Sequence, residues 1–173
     1  MRRLLFGLAF GLVVFSTAAH ANNGAGAILG TWLTNDSSVK VEIVNEHGVY
    51  NGHVVWLKAP LFPANAPNGM AGKPKVDRLN PDKSLRSRPI MGLTLLTGFH
   101  YAGGNVWDGG TLYAPTKGKS YRCKLTLAPD GRLKISIGGS IFGKTLFWTR
   151  TASVASAASP ERSRQAAYKP LKD

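Results

Sequence analysis

Between residues 28 and 150 the apolar side chains recur at every second position in short runs, and Gly, Pro, Asn or Asp ends each run. An extended backbone points successive side chains to opposite sides, so this repeat makes strands with one buried face, whereas a helix needs apolar residues three and four apart. Val39, Val41 and Ile43 set against Lys40 and Glu42 show the pattern plainly. No helical stripe competes with it before the C-terminal tail, and the domain is therefore expected to be all-β.

Eight strands are expected, over residues 28–34, 39–44, 49–57, 90–101, 105–113, 120–127, 132–137 and 144–150. Short turn-forming stretches separate most of them, among them Glu46-His47-Gly48, Ala102-Gly103-Gly104 and Pro129-Asp130-Gly131. The exception is a long loop between strands three and four, rich in Pro, Asn and Gly over residues 58–89. Consecutive strands joined by short turns form an antiparallel up-and-down meander, and eight of them can close into a β-barrel that has no exposed edge. A barrel of that size is either filled by its own side chains or holds one small ligand, and both arrangements are open. Membrane barrels use strands of about 9 to 11 residues flanked by aromatic girdles. These runs are mostly shorter and glycine-interrupted, which favours a soluble barrel.

The N-terminus reads as an export signal, with Arg2 and Arg3 followed by an apolar stretch over residues 4–15 and the small-x-small site Ala19-His20-Ala21. The apolar stretch falls short of the roughly 20 residues that span a bilayer. Residues 1–21 are therefore expected to be cleaved, leaving Asn22 first, no transmembrane anchor, and a periplasmic or secreted protein. A flexible spacer over residues 22–28, the barrel over 29–151 and a disordered basic tail over 152–173 complete the expected organisation. Losing Arg2 and Arg3 lowers the formal charge from +13 to +11. So basic a chain suits anionic envelope components as partners, whereas nucleic acid matches the charge but not the compartment. The single cysteine, Cys123, can form no intramolecular disulfide and shares a strand face with Tyr121, Leu125 and Leu127, the setting of a buried, inert thiol.

No catalytic constellation emerges. His47, His53 and His100 lack metal-ligand spacing, no Gly-x-Ser-x-Gly elbow exposes a nucleophile, and no catalytic residue, metal site or cofactor is assigned. Within the long loop, Asp77, Asn80, Asp82, Arg86 and Arg88 fall close together. Either the acids pair with Arg86 and Arg88 or cap turns, fixing the loop, or the two arginines face the barrel mouth and hold an anionic headgroup. Tyr50, Gly52, Val54 and Trp56 are expected on one face of strand three, and Tyr121 on the face of Cys123. Tyr50, Trp56, Arg86, Arg88, Tyr113 and Tyr121 are thus the candidate ligand-binding residues.

Gly30-Thr31-Trp32 in the first strand and Trp148-Thr149-Arg150 in the last resemble the Gly-x-Trp strand and closing arginine of lipocalins and avidins. That resemblance implies barrel closure by Gly30, Trp32 and Arg150, with the guanidinium over the indole, a contact that stabilises by about 0.5–2 kcal/mol. Asn80-Pro81-Asp82, Leu85-Arg86-Ser87-Arg88-Pro89-Ile90-Met91-Gly92-Leu93, Trp107-Asp108-Gly109-Gly110 and the segment from Tyr113-Ala114-Pro115 to Tyr121-Arg122-Cys123 follow in order, then Gly143-Lys144-Thr145. Together they resemble the bacterial exported proteins of domain of unknown function family 2147, over nearly all of residues 30–150. The resemblance implies an envelope location and a lipocalin-like barrel, and it names no substrate. Ala114 stands where that family often has an acidic residue, so no metal or acid role carries over to it.

The expected function is an exported, non-enzymatic barrel binding a small amphipathic or hydrophobic ligand. Two other classes stay open: an envelope hydrolase or isomerase using Asp77, Arg86 and Tyr113 at the barrel mouth, and a basic protein binding anionic envelope polymer.

Overall fold

The computed structural model describes residues 24–138 and 143–151, so the expected cleavage site and the tail from residue 152 lie outside the described residues. In chain order the strands are β1 Gly30–Leu33, β2 Val39–Glu46, β3 Val49–Leu57, β4 Thr94–Gly103, β5 Val106–Asp108, β6 Thr111–Ala114, β7 Lys119–Leu127, β8 Leu133–Ile137 and β9 Lys144–Thr151. Every pairing is antiparallel, and β9 returns to β1. β4 pairs with both β5 and β6, and so does β7, which makes β5 and β6 two halves of one stave. The sheet is a closed, eight-stave, up-and-down barrel.

The interrupted stave was expected as one strand over residues 105–113. Two glycines divide it. Gly109 takes a φ of +83° while its N–H donates to the Asp108 carboxylate at 2.8 Å. Gly110 then turns inward beneath Phe99, where a Cβ would come within 2.5 Å of the ring. Only a residue without a side chain lets the backbone approach that ring so closely.

Three further expectations are corrected. Residues 25–28, placed in a flexible spacer and the start of the first strand, form a 3-10 turn, Ala25–Ile28, with Ala27 and Ile28 buried in the core. The fourth strand begins at Thr94 rather than residue 90, because Gly92 adopts a φ of +81° and the Ile90 N–H bonds to the Lys75 carbonyl at 2.9 Å. The third strand does not keep Trp56 on the face of Tyr50. Lys40 pairs with Trp56 and Val41 with Val54, so Val55 is an unpaired extra residue and the alternation slips by one. Trp56 therefore leaves the interior and lies half-buried beside Lys40, whose ammonium is 5.3 Å from its ring.

Inside, Ile28, Trp32, Val41, Ile43, Val54 and Leu96 join Phe99, Trp107, Leu125, Leu133, Ile135 and Trp148 in one buried cluster. Burying each large apolar side chain contributes about 1.5–3 kcal/mol before ordering entropy is counted. Packing leaves little slack near the middle: a Cβ on Gly52 would sit 3.0 Å from both Leu96 and Val41 side-chain atoms. An up-and-down order also sorts the connections. Those from β1 to β2, β3 to β4, β6 to β7 and β8 to β9 leave at one end; the 3-10 turn and the turns from β2 to β3, β4 to β5 and β7 to β8 occupy the other.

Candidate functional site

The two ends are built differently. At the end carrying the 3-10 turn, Trp32 is fully buried and its indole N–H donates to the Ile28 carbonyl at 2.8 Å. Arg150, paired with Trp32 across the β1–β9 seam, lays its guanidinium 4.2 Å from the indole ring. The same guanidinium donates to the Leu29 carbonyl at 2.6 Å and to the Ala27 carbonyl. Gly30, at a φ of +111°, passes beneath it, where a Cβ would lie 3.2 Å from the guanidinium nitrogen. One cation thus ties the last strand to the turn before the first.

The opposite end is bordered by the connection over residues 58–93. Its segments lie side by side: Leu61 bridges Pro74, Val76 bridges Pro89, and the Asp77 N–H donates to the Arg88 carbonyl at 3.0 Å. Asp82 caps a short 3-10 turn, Lys83–Leu85, through the Ser84 N–H at 2.9 Å. Local turns cannot by themselves hold so long a segment against a barrel. Its anchor on β6 is centred on Asp77, whose side chain is fully buried.

Four donors converge on that carboxylate. Tyr113 Oη donates to Oδ1 at 2.7 Å, while Oδ2 accepts from Asn80 Nδ2 at 2.8 Å and from Arg88 Nε and Nη2 at 3.0 and 2.9 Å. Asn80, itself buried, accepts from the Arg86 guanidinium at its backbone carbonyl, 2.8 Å away. Tyr113 reaches the cluster because Leu112 on β6 pairs with inward Leu96, which turns Tyr113 outward to meet the loop. Nearby the connection presses on the β6–β7 turn, where a Cβ on Gly118 would overlap the Leu79 carbonyl at 1.8 Å.

The electrostatics follow from the same contacts. Burial works to raise the pKa of Asp77, but the donors from Asn80, Tyr113 and Arg88 outweigh it and hold the carboxyl below its ordinary value. Burial, then the hydrogen bond to Asp77 and the charge of its carboxylate, pushes Tyr113 up. Asp77 is thus held ionised and Tyr113 protonated, so Asp77 is a poor proton acceptor and Tyr113 a poor proton donor at pH 7. The arrangement suits a structural latch, and it places Arg86 and Arg88 on the loop-fixing contacts.

The six candidate ligand residues do not converge. Arg86, Arg88 and Tyr113 meet at the latch on the outer face of β6. Tyr50 is buried at the closed end, its ring 6.1 Å from Trp107 and nearly perpendicular to it. Tyr121 pairs with Leu112 and faces inward towards the end bordered by the connection. Trp56 is outside. Asp77 and Asn80, the centre of the latch, were missing from that set; Asp77 and Asn80 sit three apart in the loop, but only the fold brings Tyr113 to them.

Two hollows lie elsewhere. One of about 670 Å³ opens beside the β5–β6 break, with Asp108, Arg122, Cys123, Lys124 and Lys144 in its lining. Burial there, with the Asp108 charge, pushes the Cys123 thiol up to about 12. A second, of about 380 Å³, has Arg132 and Phe147 in its wall. None of the six expected ligand residues lines either.

Residues 30–150 match the model of a family described as uncharacterized proteins conserved in bacteria (DUF2147). No curated protein sequence matches the chain. Among solved structures, protein HP1028 from the human pathogen Helicobacter pylori, described as belonging to the lipocalin family, is similar at 21% identity and a TM-score of 0.58, covering 84% of this chain and 92% of that one. That likeness shows a lipocalin-like barrel.

Proposed function

This chain belongs to the DUF2147 family of bacterial proteins, and from that premise we propose that it is an exported carrier which binds a small amphipathic ligand at the latched end of its barrel. The observation that carries the reading is the asymmetry of the two ends. One is shut by a buried indole under a guanidinium that also grips two backbone carbonyls. The other is bordered by a long connection joined to β6 at Tyr113, whose hydroxyl donates to the buried Asp77 carboxylate and accepts from Asn80. A container needs one end that stays shut and one that opens.

In this reading the ligand's apolar part lies towards the end bordered by the connection, near Tyr121, and its polar part meets Arg86 and Arg88 once the connection lifts. Breaking the latch costs a few kcal/mol at most, since Arg88 is already 37% exposed and is rehydrated readily. Opening on that scale is reversible on a functional timescale. The N-terminal segment with its Ala19-His20-Ala21 site supplies the export step.

Native mass spectrometry of the protein isolated from the envelope of expressing bacteria tests both parts. The expected species begins at Asn22 and carries the added mass of a lipid-sized molecule. A ligand-free species at every stage of gentle purification sinks the carrier reading, and an intact N-terminus on all of the protein sinks export.

A further inference from the structure

Large apolar side chains left in water are unevenly placed on this molecule. Among the described residues Leu61, Leu79, Leu85 and Met91 are 39–54% exposed, and all four belong to the connection over residues 58–93. The only other such side chain, Tyr101, lies on β4 beside Trp107 at 5.3 Å. Leu61 and Met91 flank the middle segment of the side-by-side ribbon. Leu79 and Leu85 stand past the latch, Leu79 held outward by the backbone contact with Gly118.

Charge on the same connection is one-sided. It carries seven Lys or Arg and two acids; Asp77 is buried in the latch, which leaves the exposed Asp82, engaged by the Ser84 cap, as the only acid on its surface. Among the described residues no carboxylate lies within ion-pair distance of Lys73, Lys75, Arg78, Lys83 or Arg86. Exposed leucines surrounded by unpaired cations are a costly surface in water, because the apolar groups order solvent and the cations repel each other. At an anionic lipid surface both costs become gains: each nearby Lys or Arg is attracted, and each apolar side chain leaves water.

We propose that the outer face of the 58–93 connection docks on a bilayer of anionic lipid, with Leu61, Leu79, Leu85 and Met91 entering the headgroup region and the surrounding lysines and arginines on the lipid phosphates. The inference deepens the carrier reading, since it puts the opening end of the barrel against the phase from which an amphipathic ligand comes. Docking and carriage can fail separately: docking is read on vesicles, carriage by bound mass.

The test is co-sedimentation of the protein, as isolated from expressing bacteria, with vesicles of phosphatidylcholine alone or mixed with phosphatidylglycerol. Binding is expected to be at least about tenfold stronger on the anionic vesicles and to weaken with salt. L79S/L85S should lose about tenfold on anionic vesicles, and L61S/M91S, on the other segments of the ribbon, a similar factor. K73E/K83E should lose at least as much. All six side chains are exposed, so these variants keep the fold, which circular dichroism checks. Equal binding to neutral and anionic vesicles overturns the proposal. So does unchanged binding by both apolar variants, since retention by charge alone describes a protein for soluble polyanions, as on heparin, rather than for a membrane.

Discussion

Arg150 bridges the two chain-distant edges of the barrel: its guanidinium stands 4.2 Å from the Trp32 ring and donates to the carbonyl of Leu29. The planar fork can stack and donate at once, which an ammonium cannot do. Arg150→Ala should cost about 1–3 kcal/mol, and Arg150→Lys should recover less than half of it. Chemical denaturation midpoints of the three proteins measure this. A lysine variant as stable as the parent would mean that charge alone closes the seam.

Gly110 makes a sharper demand, because a Cβ there would meet three Phe99 ring atoms at 2.5–2.6 Å. Gly110→Ala is expected to destabilise by about 1–3 kcal/mol through overpacking. Phe99→Leu alone should also destabilise, by leaving space, while the double variant should be more stable than the sum of the two predicts. Strict additivity in a double-mutant cycle would show that the glycine is needed for its backbone rather than for room beneath the ring.

The alternation in β2 and the closing pair Trp32 and Arg150 were readable because each signal is local or carried by the resemblance, and the barrel follows from them. What escaped was non-local. Nothing in Val54-Val55-Trp56 says that Val55 will be skipped by the partner strand, yet that skip decides which face Trp56 takes. Gly109-Gly110 looks like a strand interior until Phe99 is packed above it. The candidate site suffered most, since Asp77 and Tyr113 are 36 residues apart and meet only because an outward residue of β6 lies under the returning loop.

Cys123 should resist alkylation. Burial, with Asp108 nearby, pushes its thiol up to about 12, so the reactive thiolate is scarce at pH 8. Iodoacetamide labelling followed by mass spectrometry should be slow in the native protein and fast after denaturation. Rapid native labelling would show that the hollow beside β7 opens enough to solvate the sulfur.

The latch should be acid-sensitive in a direction that can be worked out. Asp77 is held below its ordinary 3.8 when folded and returns to it when the loop is free. Its contribution is therefore complete above about 3.8 and is lost as pH falls through the folded value. Asp36, Asp82, Asp108 and Asp130 are also held low, so overall stability falls with acid too, and a global melt cannot isolate the loop. Hydrogen exchange can. In the parent, amides of residues 75–90 should become exposed as the pH drops before those of β7 and β8, after correction for the intrinsic pH dependence of exchange. Asp77→Asn mimics the protonated latch and should expose residues 75–90 already at pH 7, by about 1–3 kcal/mol of local opening, with little further change in acid. Tyr113→Phe removes one of four donors and should give a smaller opening that keeps the acid response. If Asp77→Asn protects the loop as well as the parent at neutral pH, the connection is held by packing such as Leu79 on Gly118, and the carboxylate is not what keeps that end shut.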